Sequence, residues 1–338
     1  MRNHEVTTKQ LLLKNGQIRE PGWSRQMLQM YSRNDIKAPK FRIKEWDYYL
    51  IMAQEFAVAL TISDLGYMGM ISASFLDFTK PWEHTESVLT ALPMGKMQLP
   101  ADSKFGVTSH KDDRVSMAFT VDRNQRHLVC EFKNFDGEKN FRCDIVLQNI
   151  ETESLVIATP FDKKHHFYYN QKINCLPASG WAEYEGVRHT FDPDTDFGTL
   201  DWGRGVWTYD NYWYWGSGSG YADGKPVGFN IGYGFGNTSA ASENVIFYDG
   251  KAHKIDDVKF HIPADSYTKP WKFTSSDGRF EMDFLSIIDR ASLTDVKLIV
   301  SDQHQVFGRM SGTMILDDGT KVELKDFLCF AEEVHNKY

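Results

Sequence analysis

The sequence predicts an all-β protein built as two antiparallel barrels, closed or nearly closed, lying side by side. Three observations carry this. Apolar and polar residues alternate with period two in several segments, the mark of a strand with one buried face. Five Asp-Gly pairs (136–137, 223–224, 249–250, 277–278 and 318–319) stand between strand-like runs, and Asp-Gly supplies the positive φ angles of a tight hairpin turn. Strands do not alternate with long amphipathic helices, which argues against a doubly wound parallel sheet. At 338 residues the chain exceeds one ordinary hydrophobic core, so two units are expected.

In chain order, residues 25–31 are expected as a short helix, and the basic run from Lys37 to Lys44, interrupted by Pro39, as a solvated loop. The first strong strand opens at Lys44-Glu45-Trp46-Asp47-Tyr48-Tyr49. Val115, Met117, Phe119 and Val121 then alternate with Ser116, Ala118 and Thr120. Leu128, Cys130 and Phe132 follow the same rule, as do Phe141, Cys143, Ile145 and Leu147. The turn-like stretch 174–180 marks the expected boundary, with an N-terminal barrel over residues 1–175 and a C-terminal barrel over residues 176–338. Gly216-Ser217-Gly218-Ser219-Gly220 reads as a flexible loop. Residues 292–301 read as a strand on the spacing of Val296, Leu298 and Val300.

Composition narrows the function. The formal charge is -8, without the basic footprint of a nucleic-acid binder. No apolar run approaches the roughly 18 residues of a membrane span, and the polar start from Met1 to Val6 carries no signal-peptide core. Cys130, Cys143, Cys175 and Cys329 form no C-x-x-C pair and read as free thiols of a cytoplasmic protein. No zinc motif occurs, so neither a metal nor a cofactor is expected.

The candidate site is the stretch from Asp201 to Gly216, which carries an acid, a guanidinium and the indoles of Trp202, Trp207, Trp213 and Trp215. Flat aromatic walls with a few placed charges suit a small-molecule cavity. On one strand, Trp213 and Trp215 share a face, and Tyr212 and Tyr214 take the other. Asp201 and Arg204 are three apart and can pair only across a bulge, which Gly203 and Gly205 would permit. Paired, Asp201 orients a ligand or closes a structural salt bridge; desolvated and alone, it is a proton donor. Asp201, Arg204 and Glu243 are the candidate catalytic residues; Trp207, Tyr209, Trp213, Trp215 and Asn230 are the candidate ligand contacts. Glu243-Asn244 and Glu332-Glu333 are secondary candidates, and for each of them a surface role is the plainer reading.

The order of Asp201-Trp-Gly-Arg-Gly-Val-Trp207, Trp213-Tyr-Trp215, Val227-Gly-Phe-Asn-Ile-Gly232 and Glu243-Asn-Val-Ile-Phe-Tyr-Asp-Gly250 resembles the family of domain of unknown function 2804. The Arg42-Ile-Lys-Glu-Trp46 start and the closing Phe330-Ala-Glu-Glu-Val334 fit it too. That family is distantly similar to the carotenoid hydratase and tocopherol cyclase group. The resemblance implies two lipocalin-like, calycin-type barrels. It also implies protonation of an isoprenoid double bond by a carboxylic acid, followed by hydration or ring closure. The aspartate-histidine-tryptophan signature of that group is not reproduced, since Trp202 follows Asp201.

Three functions are therefore weighed. The first is a hydratase, cyclase or isomerase for an apolar or amphipathic molecule, with Asp201 as acid. The second is a non-catalytic carrier of a lipid or pigment. The third is a carbohydrate-active enzyme with tryptophan platforms and the carboxylate pair Asp201 and Glu243.

Overall fold

The computed structural model describes residues 2–295 and 300–337. Its architecture is all-β, with two curled antiparallel half-barrel sheets side by side. The main path of the first sheet runs, in spatial order, through Gly106–Lys111, Val115–Val121, Gln125–Asp136, Lys139–Gln148, Phe167–Tyr184, Phe197–Val206, Lys44–Met52, Phe56–Asp64, Met68–Asp77 and Trp82–Ala91. The second sheet runs Lys251–Lys254, Val245–Tyr248, Lys225–Tyr233, Asp210–Ala222, Lys321–Lys337, Val300–Ile315, Phe280–Asp295, Trp271–Ser275 and Val258–His261.

Each of the five Asp-Gly pairs turns a hairpin. In the turns at 223–224 and 249–250 both residues take positive φ (51° and 73°, 49° and 79°), which the twist of two-residue hairpins demands. The chain passes between sheets at residues 207–209, after Val206 and before Asp210. Residue 175, where the sequence places a boundary, lies inside the Phe167–Tyr184 strand, at an irregularity in its pairing between Ile173 and Leu176.

Other expectations are corrected. Residues 25–31 are not helical; Gln29–Met30 is extended and pairs in parallel with Gln10–Leu11. Lys44 is buried rather than solvated, with its ammonium 4.7 Å from the centre of the Tyr67 ring. The Gly-Ser run is not a loop but the middle of the Asp210–Ala222 strand. Its glycines leave room for neighbours: a Cβ at Gly218 would lie 2.8 Å from the Cβ of Cys329, and one at Gly220 would lie 2.8 Å from the Phe327 ring. Val300 opens a strand as expected, whereas Val296 and Leu298 lie outside the described residues.

Each sheet encloses its own apolar core, and two further apolar patches lie between the sheets. One joins Leu155, Ile157 and Tyr168 to Trp207, Phe235 and Val245. The other joins Leu50, Ala57 and Leu76 to Trp215, Phe307 and Phe330. These two patches clamp the sheets together, and the polar groups described below sit among them.

The expected bulge at Gly203 and Gly205 is absent. The Phe197–Val206 strand pairs with Lys44–Met52 in unbroken register, with Gly203 opposite Trp46. Gly203 is small because the Trp46 indole lies over it: a Cβ there would come within 2.0 Å of that ring. Gly203→Ala should therefore overpack the interface and cost roughly 1–3 kcal/mol of stability in chemical denaturation. An unchanged unfolding midpoint would contradict this packing.

Candidate active site between the two sheets

Register builds the site. In the first sheet Lys172 pairs with Asp201, and Asp201 with Tyr48, so three polar side chains form a row on one face. In the second sheet Gln305 pairs with Glu332, and Glu332 with Trp215, forming another row. The rows face each other across the junction. The Lys172 ammonium lies 3.8 Å from the centre of the Trp215 ring, and the Tyr48 and Trp215 rings meet edge to face at 6.0 Å.

Asp201 is held from two sides: Lys172 Nζ is 2.8 Å from Oδ2, and Asn170 donates a 2.5 Å hydrogen bond to Oδ1. Arg204 does not take part. Alternation along a regular strand sends it to the opposite face. There it is fully buried, 3.0 Å from Asp47, and donates to the carbonyls of Trp46 and Pro100. The pairing of Asp201 with Arg204 is thus overturned by an undistorted strand, and Arg204 is a structural cation of the first core.

Glu243 enters from the short loop before Val245–Tyr248. Its backbone is pinned on both sides. Lys254 Nζ donates to the carbonyls of Ser242 (2.7 Å) and Asn244 (2.6 Å), and Asn230 Nδ2 donates to the carbonyl of Glu243 itself (2.7 Å). The other end of the Asn230 amide accepts the Trp215 indole N–H at 2.7 Å. The carboxyl is left without a protein partner at Oε1. Burial pushes the Glu243 carboxyl up to about 7; nearby Lys172 opposes this rise and Asp201 adds to it.

Glu332 is better satisfied. Its Oε1 accepts the Trp213 indole N–H at 3.0 Å and its Oε2 accepts Gln305 Nε2 at 2.9 Å. Burial still raises its carboxyl above the ordinary range, against the pull of the Trp213 bond, Lys172 and Arg290. Tyr168 completes the group. Burial, then the charges of Glu243, Asp201 and Glu332, push its phenol well above its usual range, so it stays protonated.

The junction therefore gathers Asp201, Glu243, Trp213, Trp215 and Asn230 of the sequence candidates. Trp207 lies nearby but packs edge-on against Trp46 and Phe235, both at 5.4 Å. Tyr209 is exposed at the crossing between sheets. Glu332 is not a surface residue but part of the cluster. Lys172, Asn170, Tyr48 and Tyr168 escape the sequence reading. For Asn170 and Lys172 the one signal is their recurrence with Asn174 at period two inside an aromatic strand. Among the described residues, no group of three or more His, Cys, Asp or Glu side chains is placed to hold a metal ion.

The chain belongs to the family described as domain of unknown function (DUF2804), whose model matches residues 3–338. No curated protein matches it. Solved structures similar to this one include CghA (9% identity, 89% of this chain and 92% of that chain covered, TM-score 0.46). Kievitone hydratase from Nectria haematococca is another (11% identity, 86% and 88% covered, TM-score 0.46). A putative AttH from Nitrosomonas europaea is a third (12% identity, 90% and 95% covered, TM-score 0.43).

Removing one member of a buried ion pair strands the other. Asp201→Asn should lower folding stability by roughly 3 kcal/mol in denaturant titration, since it leaves the Lys172 ammonium without its nearest counter-charge. A loss within a few tenths of a kcal/mol would mean the pair is solvated and the junction open.

Proposed function

We propose that the junction is the active site of a hydratase-, cyclase- or isomerase-type enzyme acting on an apolar or amphipathic, isoprenoid- or lipid-like molecule. The observation that carries this is Glu243: a buried carboxyl, raised to about 7, held by a pinned loop, with one oxygen unpartnered beside aromatic walls. A proton donor works best when its pKa lies near the working pH. Glu243 meets that condition, and the acid role moves to it from Asp201, which is occupied by Lys172 and Asn170.

In this reading Glu243 gives its proton to one carbon of a double bond. A C–H bond forms, the π bond breaks, and positive charge develops on the other carbon. The rings of Trp213, Tyr48 and Tyr168 attract that charge, while Asp201 and Trp215 hold the Lys172 ammonium in place. Water or a neighbouring group of the substrate then bonds to the cation, and the proton released returns to the Glu243 carboxylate. Loss of a proton from an adjacent carbon instead gives isomerisation. Two expectations go with the same proposal: the chain forms an N-terminal and a C-terminal unit, and the protein resides in the cytoplasm, in keeping with its four buried free thiols.

Incubation with a panel of isoprenoid and amphipathic alkenes in deuterium oxide tests the chemistry by mass spectrometry. Deuterium incorporation or water addition is expected, lost in Glu243→Gln while binding persists. The rate should fall as pH rises through about 7, because the protonated carboxyl is the active form. A molecule that binds at the junction without exchange or turnover would favour the carrier function instead.

A further inference from the structure

The alternation that turns Gln305, Glu332 and Trp215 toward the first sheet turns their sequence neighbours away from it. His304, Glu333, Tyr214 and Tyr233 pair in one row across four strands of the second sheet, on the opposite face. Above this row, residues 262–267 border an open cavity of about 460 Å³, within the range of small-molecule sites. Tyr214, Phe260, Tyr267 and Glu333 are among its lining residues.

The cavity has one sign of charge. Its lining includes Glu333 and Asp265 but no Lys, Arg or His. Asp265 is exposed and paired with Lys269 at the rim, whereas Glu333 is the anion held among the aromatic rings. The Tyr214 hydroxyl donates to one Glu333 oxygen at 2.8 Å, and the Tyr267 hydroxyl donates to the other at 3.0 Å. Both rings are braced from behind: Tyr214 stacks on Tyr233 with centroids 4.4 Å apart, and Tyr267 stacks on His304 at 3.7 Å.

We propose that this cavity binds a small quaternary ammonium compound. Aromatic faces and a carboxylate attract a cation together. Both Glu333 oxygens already accept a phenol, so beside the aromatic rings Glu333 offers charge more than free acceptors. A primary ammonium must place three donors and loses hydration when it cannot. A quaternary ammonium has none to place.

Calorimetric titration of the full chain with choline, and with its uncharged carbon isostere 3,3-dimethylbutan-1-ol, tests this. Choline should bind at least about tenfold more tightly than the isostere. Glu333→Gln should weaken choline by about the same factor with an unchanged melting temperature. Tyr267→Leu should also weaken it, whereas Tyr267→Phe, which keeps the ring, should retain most of the affinity. Equal binding of choline and the isostere, no choline binding at millimolar concentration, or full affinity in a folded Glu333→Gln protein would each overturn the proposal. None of these outcomes bears on Glu243, which serves the other face.

Discussion

A single ammonium group, that of Lys172, acts on Asp201, Glu243 and Glu332 alike. Charges taken out of water are costly unless matched, and Lys172 is the cation that all three carboxyls share. Asp201 takes the direct contact. Glu243 and Glu332 lie farther off; burial raises both carboxyls, and Lys172, with Lys254 at Glu243 and Arg290 at Glu332, only opposes that rise. The apolar patches on either side keep the cluster dry, so the fit between the two sheets and the proton affinity of Glu243 are one property. The cation–π contact of Lys172 with Trp215 ties the charge of the first sheet to the aromatic wall of the second.

Strand alternation distributes the chemistry. Along Phe197–Val206, Asp201 and Gly203 face the junction, while Trp202 and Arg204 fill the first core. Along Lys321–Lys337, Glu332 faces the junction and Glu333 faces the cavity of the second sheet. Neighbouring acids thus serve separate environments. No bulge is needed, because register alone sets Lys172 opposite Asp201 and Glu332 opposite Trp215.

Much of the fold is legible in the sequence because its signals are local. The Asp-Gly turns and the alternation around Val115, Leu128 and Phe141 need no long-range information. The Gly-Ser run misleads because its glycines answer to Phe327 and Cys329, far along the chain, rather than to a turn. The candidate site is half legible. The shared face of Trp213 and Trp215 follows from period two, and Asp201 stands out as an acid set among indoles. The partner of Asp201 does not, because Lys172 reaches it only through pairing of strands whose register no local pattern specifies. Arg204 is the obvious partner by sequence distance, and strand geometry excludes it. Glu332 reads as surface because its burial comes from the facing sheet.

The account rests on the protonation of Glu243, which can be observed directly. Carbon-13 NMR of the glutamate side-chain carboxyls, followed across pH, should show one resonance titrating near 7 that disappears in Glu243→Gln. If every glutamate instead titrates within its ordinary range, around 4.3, the junction is wet and Glu243 holds no proton to give at neutral pH.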